Sequence, residues 1–262
     1  MTPSPDILRR PMASARLRLA DGDMRIEAPI QVPSDPVPST EVLPAVRRLQ
    51  DALVDAAQQR AGREGRAISC ARGCAACCRQ PVALVDVEAW ALAALVERLP
   101  EPRRSTVRAR FADSLRRLDE AGLKARLAEA GDAGTHGTTV RTLSLEAFAL
   151  GIACPFLEDE ACSIYADRPL ACRQHVVTTP AAWCAEPGKG QIAALPTSSL
   201  SGALQSLHDD SRRPRRRWVS LVLALEWAAA HKPPAERQTG PAWIERLLKA
   251  LAASTGTTVG RH

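Results

Sequence analysis

The sequence predicts a mainly α-helical single domain whose cysteines lie on loops, with a small β-hairpin near its N-terminus. Of its 262 residues, 45% are hydrophobic but only 3% are aromatic. The core must therefore consist mostly of Leu, Ala and Val, a composition that favours helices over strands. Apolar residues also recur with helical spacing in several long segments, whereas strict alternation is confined to one segment near the start of the chain.

The N-terminal arm, residues 1–40, contains the predicted hairpin. Residues 15–32 alternate apolar and polar side chains on both sides of the sequence "DGD", which is typical of two strands joined by a tight turn. The Pro-rich segment 33–40 is predicted to be a linker. Its Ser39 or Thr40 can cap the helix that follows.

Residues 41–235 are predicted to form the helical, cysteine-bearing domain. Periodicity predicts helices over residues 41–61, 85–99 and 102–131, and the Gly-rich segment 131–142 is predicted to be a loop. Further on, residues 198–210, 215–232 and 241–254 are helical by the same criterion. The last of these lies in a C-terminal segment, 236–262, that we expect to end in a flexible tail.

The chain is mildly basic, with a net charge of +6 and a pI near 9.1. Much of the excess lies in one arginine run, formed by Arg212, Arg213, Arg215, Arg216 and Arg217. The first thirty residues contain no apolar secretory segment, and the longest apolar stretch, 218–230, is shorter than the roughly 20 residues of a membrane span. We therefore expect a cytoplasmic protein without membrane contact, in which thiols stay reduced.

The eight cysteines fall into two groups. The first group is Cys70, Cys74, Cys77 and Cys78, and the second is Cys154, Cys162, Cys172 and Cys184. Under reducing conditions such a set indicates metal or redox chemistry rather than a disulfide framework. Buried structural cysteines are the alternative, since free Cys is often buried, but that alternative does not explain four cysteines within nine positions.

Thiolates bind zinc, copper(I) or iron–sulfur clusters, and Cys74-x-x-Cys77 is a spacing at which two thiolates of one turn hold one metal. The adjacent Cys77 and Cys78 are expected to diverge, so the second group should complete the coordination shell. The predicted core ligands are Cys74, Cys77, Cys154 and Cys172. Cys70, Cys78 and Cys162 are ranked next, followed by Cys184.

Several basic side chains lie close to these cysteines in the sequence: Arg72, Arg79, Arg168, Arg173 and His175. Arg79, Arg168 and Arg173 are predicted to bind the cofactor by offsetting thiolate charge and donating hydrogen bonds to sulfur. The alternatives are that Arg72 and Arg79 are simply solvated and that Arg168 stabilises a turn. His175 follows Cys172 at a metal-ligand spacing, although a lone His is more often bound to other polar groups.

The two groups together resemble the YkgJ-type CxxCxxCC cysteine-cluster family, which is described as a zinc- or iron-chelating domain. The matching elements are Cys74, Cys77 and Cys78, then Cys154-Pro155-Phe156-Leu157, Cys162-Ser163-Ile164-Tyr165, Arg168-Pro169 and Cys172-Arg173. The gap between Cys70 and Cys74 is one residue longer than the family name implies. The resemblance covers about residues 66–185 and implies metal binding by six to eight cysteines, without a settled reaction.

Three functions remain open at this point. The first is a metal-binding protein that holds an iron–sulfur cluster or zinc, with no reaction assigned. The second is a cluster-dependent protein-modifying enzyme, by analogy with lysine methylases among the relatives. A radical S-adenosylmethionine enzyme is a less favoured form of this hypothesis, because the sequence pattern contains no repeated βα units. The third is a zinc-stabilised protein that binds nucleic acid or an acidic protein through Arg212–Arg217, although stacking aromatics are scarce.

Overall fold

A computed structural model of the protein describes residues 10–71, 73–186, 190–208, 217–255 and 258–261. Its helices are α1 (Leu43–Arg63), α2 (Asp86–Arg98), α3 (Arg103–Glu120), α4 (Lys124–Asp132), α5 (Thr138–Ala149), α6 (Leu170–Gln174), α7 (Leu200–Gln205), α8 (Ala224–Ala230) and α9 (Gly240–Thr255). Its strands are β1 (Met12–Asp21), β2 (Met24–Pro33), β3 (Pro36–Val37), β4 (Ala83–Leu84), β5 (Leu157–Glu158), β6 (Ala161–Cys162), β7 (Val219–Ser220), β8 (Gln238–Thr239) and β9 (Thr258–Arg261). The mainly α-helical class and the cysteines on loops and short elements are confirmed.

The predicted N-terminal hairpin is present as β1 and β2. The two strands pair antiparallel, with Leu17 opposite Ala28, and Gly22 takes a positive φ of 60° in the turn between them. Their inward side chains alternate with exposed ones because successive residues of a strand point to opposite faces. The sheet has a third strand, β9, which pairs antiparallel with β1 and which the sequence analysis did not anticipate.

Helix α1 packs on β2 and carries the apolar stripe expected from the sequence. Leu49 and Leu53 are almost fully buried. A short 3₁₀ helix, Ser39–Val42, precedes α1. Helices α7 and α9 complete this half of the core, and Trp243 of α9 is fully buried with its Nε1 donating to the Val37 carbonyl at 2.8 Å.

The prediction of one helix over residues 102–131 is wrong, because the chain turns between α3 and α4. Gly122 has a positive φ of 66°, which favours glycine, and Leu123 N donates back to the Leu118 carbonyl at 2.8 Å. The expected loop 131–142 is also shorter than predicted, since α5 begins at Thr138. Likewise, the predicted helix 215–232 becomes helical only at α8, after β7 and a 3₁₀ turn.

The buried apolar residues form two clusters that meet around the cysteines. One cluster joins the hairpin, α1, α7 and α9, and the other joins α2, α3, α4 and α5. Cys70 packs against the first cluster, whereas Cys154 and Cys162 pack against the second. No helix of the described part of the chain is long and apolar enough to cross a membrane.

Gly131 provides a test of this packing. A Cβ atom at Gly131 would lie 2.2 Å from the Trp218 carbonyl oxygen, so Gly131→Ala should lower the free energy of unfolding by about 2 kcal/mol through overpacking. Gly202 of α7 is the matched control, because a Cβ atom there meets nothing within 4 Å. Gly202→Ala should instead raise the stability by about 0.5–1 kcal/mol. Urea unfolding measures the free energy of unfolding of both variants. Equal stabilities of Gly131→Ala and Gly202→Ala would contradict a close contact between Gly131 and Trp218.

Candidate metal centre

The first cysteine group lies on consecutive tight turns after α1. Cys74 N donates to the Ala71 carbonyl at 3.0 Å, and Cys78 N donates to the Ala75 carbonyl at 2.9 Å. Gly73 takes a positive φ of 84° inside the first of these turns, a conformation that a residue with a side chain rarely adopts. The Cys78 side chain lowers the pKa of Cys77, and Cys77 raises the pKa of Cys78. The divergence of these two side chains stays a prediction.

Backbone contacts bring the second group against the first. Cys154 N donates to the Cys78 carbonyl at 2.8 Å, and Val177 N donates to Cys70 Sγ at 3.4 Å. On the same side, Gln80 Nε2 donates to the Cys184 carbonyl at 3.3 Å. Cysteines that are distant in the sequence therefore share one region, which is the juxtaposition that a bridging metal requires.

Cys77 lies at the electrostatic centre of this region. Direct interaction with Cys78 and the positive charge of Arg168 lower the pKa of Cys77 to about 6, so its thiol ionises readily. Burial is the main cause of the raised pKa values of Cys70, Cys154, Cys162, Cys172 and Cys184, and the charge on Cys77 raises them further. Cys77 also raises the pKa of Cys78. All of these thiols are therefore close enough to Cys77 to interact with its charge.

Most of the other thiols are stabilised in their protonated form. Burial raises the pKa of Cys154 to about 11 and also raises the pKa of Cys172. Interaction with Cys77 raises the pKa of Cys78. A soft cation would remove this penalty, because a thiol loses its proton when it binds a metal as a thiolate. The chemistry of the donor set thus fits zinc or an iron–sulfur cluster.

Within the described residues, no three Cys, His, Asp or Glu side chains already form an arrangement that could hold a metal ion. The contact between the two groups that the structure shows is made by the backbone, as in the hydrogen bond from Cys154 N to the Cys78 carbonyl.

Arg168 is half-buried beside the thiols. Its guanidinium lies 4.2 Å from the centre of the Tyr165 ring, and its Nε is buried without a hydrogen-bond partner in the described part of the chain. The charge of Arg168 contributes to the lowered pKa of Cys77 and partly offsets the rise in pKa that burial causes at Cys70 and Cys162. An unpaired buried N–H donor next to ionisable sulfur is suited to a thiolate or sulfide acceptor.

Arg173 and Arg79 already have protein partners. Arg173, only 5% exposed, donates to both carboxylate oxygens of Asp51 at 2.8 and 2.6 Å and to the Arg168 carbonyl at 2.9 Å. Arg79 binds Glu160 in the turn between β5 and β6 at 2.8 Å. Arg79 thus joins the loop of the first group to the turn before Cys162, whereas Arg173 joins the segment that carries Cys172 to α1. A direct contact with a cofactor stays a prediction for both.

The remaining candidates are placed less centrally. His175 Nε2 lies 3.9 Å from Cys184 Sγ, and burial lowers the pKa of His175, which favours the neutral imidazole that metals bind. Arg72 and the arginines from Arg212 to Arg216 lie outside the described residues, whereas Arg217 is described and exposed.

Sequence reasoning missed the buried charges that hold the second group in place. Glu88 of α2 is 3% exposed and accepts hydrogen bonds from Leu170 N at 2.7 Å and Val85 N at 3.3 Å. Arg47 of α1 is also buried and donates to Asp167 at 2.6 Å. The only signal for Glu88 is its position in the first turn of an apolar helix, which is equally typical of an exposed capping residue.

Glu88→Ala should lower the free energy of unfolding by about 3 kcal/mol, because it leaves buried N–H groups of α2 and α6 without an acceptor. Glu97→Ala is the matched control on the same helix, since Glu97 is exposed and pairs with Arg108, and it should change the stability little. Denaturant unfolding distinguishes the two variants. If Glu88→Ala were as stable as Glu97→Ala, Glu88 would not anchor α6.

Comparison with known proteins finds a family model that matches residues 69–189. This segment matches the model of the CxxCxxCC family, described as a "putative zinc- or iron-chelating domain". The match includes all eight cysteines and confirms the resemblance inferred from the sequence. No curated protein and no solved structure gives a significant match to the chain.

Proposed function

Since residues 69–189 form a domain of the CxxCxxCC family, we propose that this protein binds zinc or an iron–sulfur cluster through cysteines of both groups. The observation that supports this most strongly is the convergence of the two groups on Cys77. That thiol has a lowered pKa, and its charge acts on cysteines as distant in the sequence as Cys172 and Cys184. Such a cluster of thiols is stable as thiolates only when a cation neutralises their charge.

Within this proposal the core ligands are Cys74, Cys77, Cys154 and Cys172. Cys70, Cys78 and Cys162 are further ligands, and Cys184 is the last candidate. More than four thiols favour an iron–sulfur cluster over a single zinc ion, because one tetrahedral zinc uses only four ligands. The unpaired Nε of Arg168 favours a cluster as well, since its sulfide atoms accept hydrogen bonds that tune the reduction potential.

The two other functions suggested by the sequence gain no specific support. Most of the arginine run proposed to contact an acidic protein or nucleic acid lies outside the described residues. A protein-modifying reaction would need a substrate site beside the thiols, and none of the contacts described above identifies one. Metal binding is therefore the function that the observations favour.

The deciding experiment is a measurement of iron, zinc and labile sulfide, with an absorption spectrum, on full-length protein purified without oxygen. Iron with labile sulfide and a broad visible band would identify a cluster, and stoichiometric zinc in a colourless protein would identify a zinc site. Protein that retains neither metal after reconstitution would overturn the proposal.

Cys77→Ser extends the same measurement to the ligands. The variant should lose most of its metal and should unfold at a lower temperature than the metal-loaded protein, because metal binding and folding are linked. After chelator treatment, the variant and the parent protein should be equally stable. A fully loaded variant, or a variant that is equally destabilised with and without metal, would remove Cys77 from the ligand set.

Arg168→Gln should weaken metal retention by about tenfold or more, as expected for a group that hydrogen-bonds to ligand atoms. Arg168→Lys keeps the positive charge but lacks the Nε donor. Its metal retention should therefore lie between that of the parent protein and that of Arg168→Gln. Arg98→Gln is the control, because Arg98 is an exposed arginine at the end of α2. Chelator competition measures all three, and equal retention by Arg168→Gln and Arg98→Gln would show that Arg168 serves only the fold.

A further inference from the structure

A cleft of about 360 Å³ lies between α4, β7 and α8, and no cysteine lines it. Its apolar wall includes Leu127, Leu223, Trp218 and Trp227. The cleft is open to solvent at a rim of charged side chains, and none of its residues takes part in the metal centre described above.

The two tryptophans are held by specific contacts. Trp218 is 9% exposed, its Nε1 donates to the Thr135 carbonyl at 2.9 Å, and its N donates to the Gly131 carbonyl at 3.2 Å. Trp227 stacks on His231, with ring centres 4.4 Å apart and planes 12° from parallel. The aromatic walls are therefore fixed by the fold.

Acidic groups outnumber basic ones around the cleft. Asp119, Asp132 and Glu226 line it, and the single lysine, Lys124, pairs with Glu226 at 2.9 Å. Asp132 is exposed, and its carboxylate has no hydrogen bond or ion pair within the described residues. Burial raises the pKa of Asp86, and its carboxyl also interacts with Arg217, His231 and Asp132. Three carboxylates thus line the cleft against one lysine, and that lysine is bound to Glu226.

A buried polar atom in the cleft has no partner. Ser220 lines the cleft and is only 1% exposed, yet its Oγ makes no hydrogen bond in the described part of the chain. The Asp86 Oδ1 atom is also buried and unpaired there. A buried polar group without a partner costs about 1–3 kcal/mol, a cost that a ligand able to donate a hydrogen bond would remove.

We propose that this cleft binds a small organic cation, namely an ammonium or guanidinium group carried on an apolar body. The carboxylates would offset its charge, and Ser220 Oγ would accept one of its N–H groups. The indoles would pack against its body and favour the cation over a neutral group of the same size. This site is separate from the proposed metal function.

The test uses full-length protein with its metal bound and three probes of one shape: phenethylamine, 2-phenylethanol and hydrocinnamate. Calorimetry should show that phenethylamine binds about tenfold more tightly than the alcohol, as expected for a charge-assisted contact, and that the acid does not bind. Equal affinities for the amine and the alcohol, or preferred binding of the acid, would overturn the proposal.

Two variants locate the binding. Asp132→Asn should weaken amine binding about fivefold, whereas Glu129→Gln, an exposed change on the same helix outside the cleft, should leave it unchanged. Ser220→Ala should also weaken amine binding without lowering the melting temperature, because it removes a hydroxyl that has no partner in the protein. A lower melting temperature with unchanged binding would instead assign Ser220 to the fold and contradict the proposed site.

Discussion

The carboxylate of Glu88 is buried between α2 and α6, and the second cysteine group is positioned around it. Its two hydrogen bonds join the first turn of α2 to Leu170, the first residue of α6. Burial raises the pKa of Glu88, and its hydrogen bonds from Leu170 and Val85 together with the positive charges of Arg47 and Arg173 oppose that rise. These arginines in turn bind Asp167 and Asp51. The contacts join the start of α6, and hence Cys172, to α1 and α2.

The first cysteine group depends on this arrangement indirectly. Its described residues form no comparable network of buried charges, and their contacts with the second group are mainly backbone hydrogen bonds such as that from Cys154 N to the Cys78 carbonyl. A metal shared by both groups would close a loop of roughly 75 residues, and the entropic cost of closure grows only slowly with loop length. The charged network therefore sets the position of one half of the site, and metal binding would fix the other half against it.

Periodicity predicted the elements whose apolar faces are continuous, namely the hairpin, α1, α2 and α9. It failed where one residue overrides the pattern, as at Gly122, whose positive φ separates α3 from α4. Within the site, cysteine spacing identified every thiol that the fold brings near Cys77. The same reasoning could not identify Glu88 or Arg47, because a charged residue on a helix is normally exposed and its burial depends on partners that are distant in the sequence.

In the proposed site, the protonation of the thiols links metal binding to the release of protons. Burial, and at Cys78 the interaction with Cys77, favours the neutral form of most of these cysteines, whereas the pKa of Cys77 is lowered. Several thiolates drawn together without a cation would repel one another strongly in a partly buried site. The thiols would therefore lose their protons as the metal binds, and Cys77, beside Arg168, is the thiol that would lose its proton most readily.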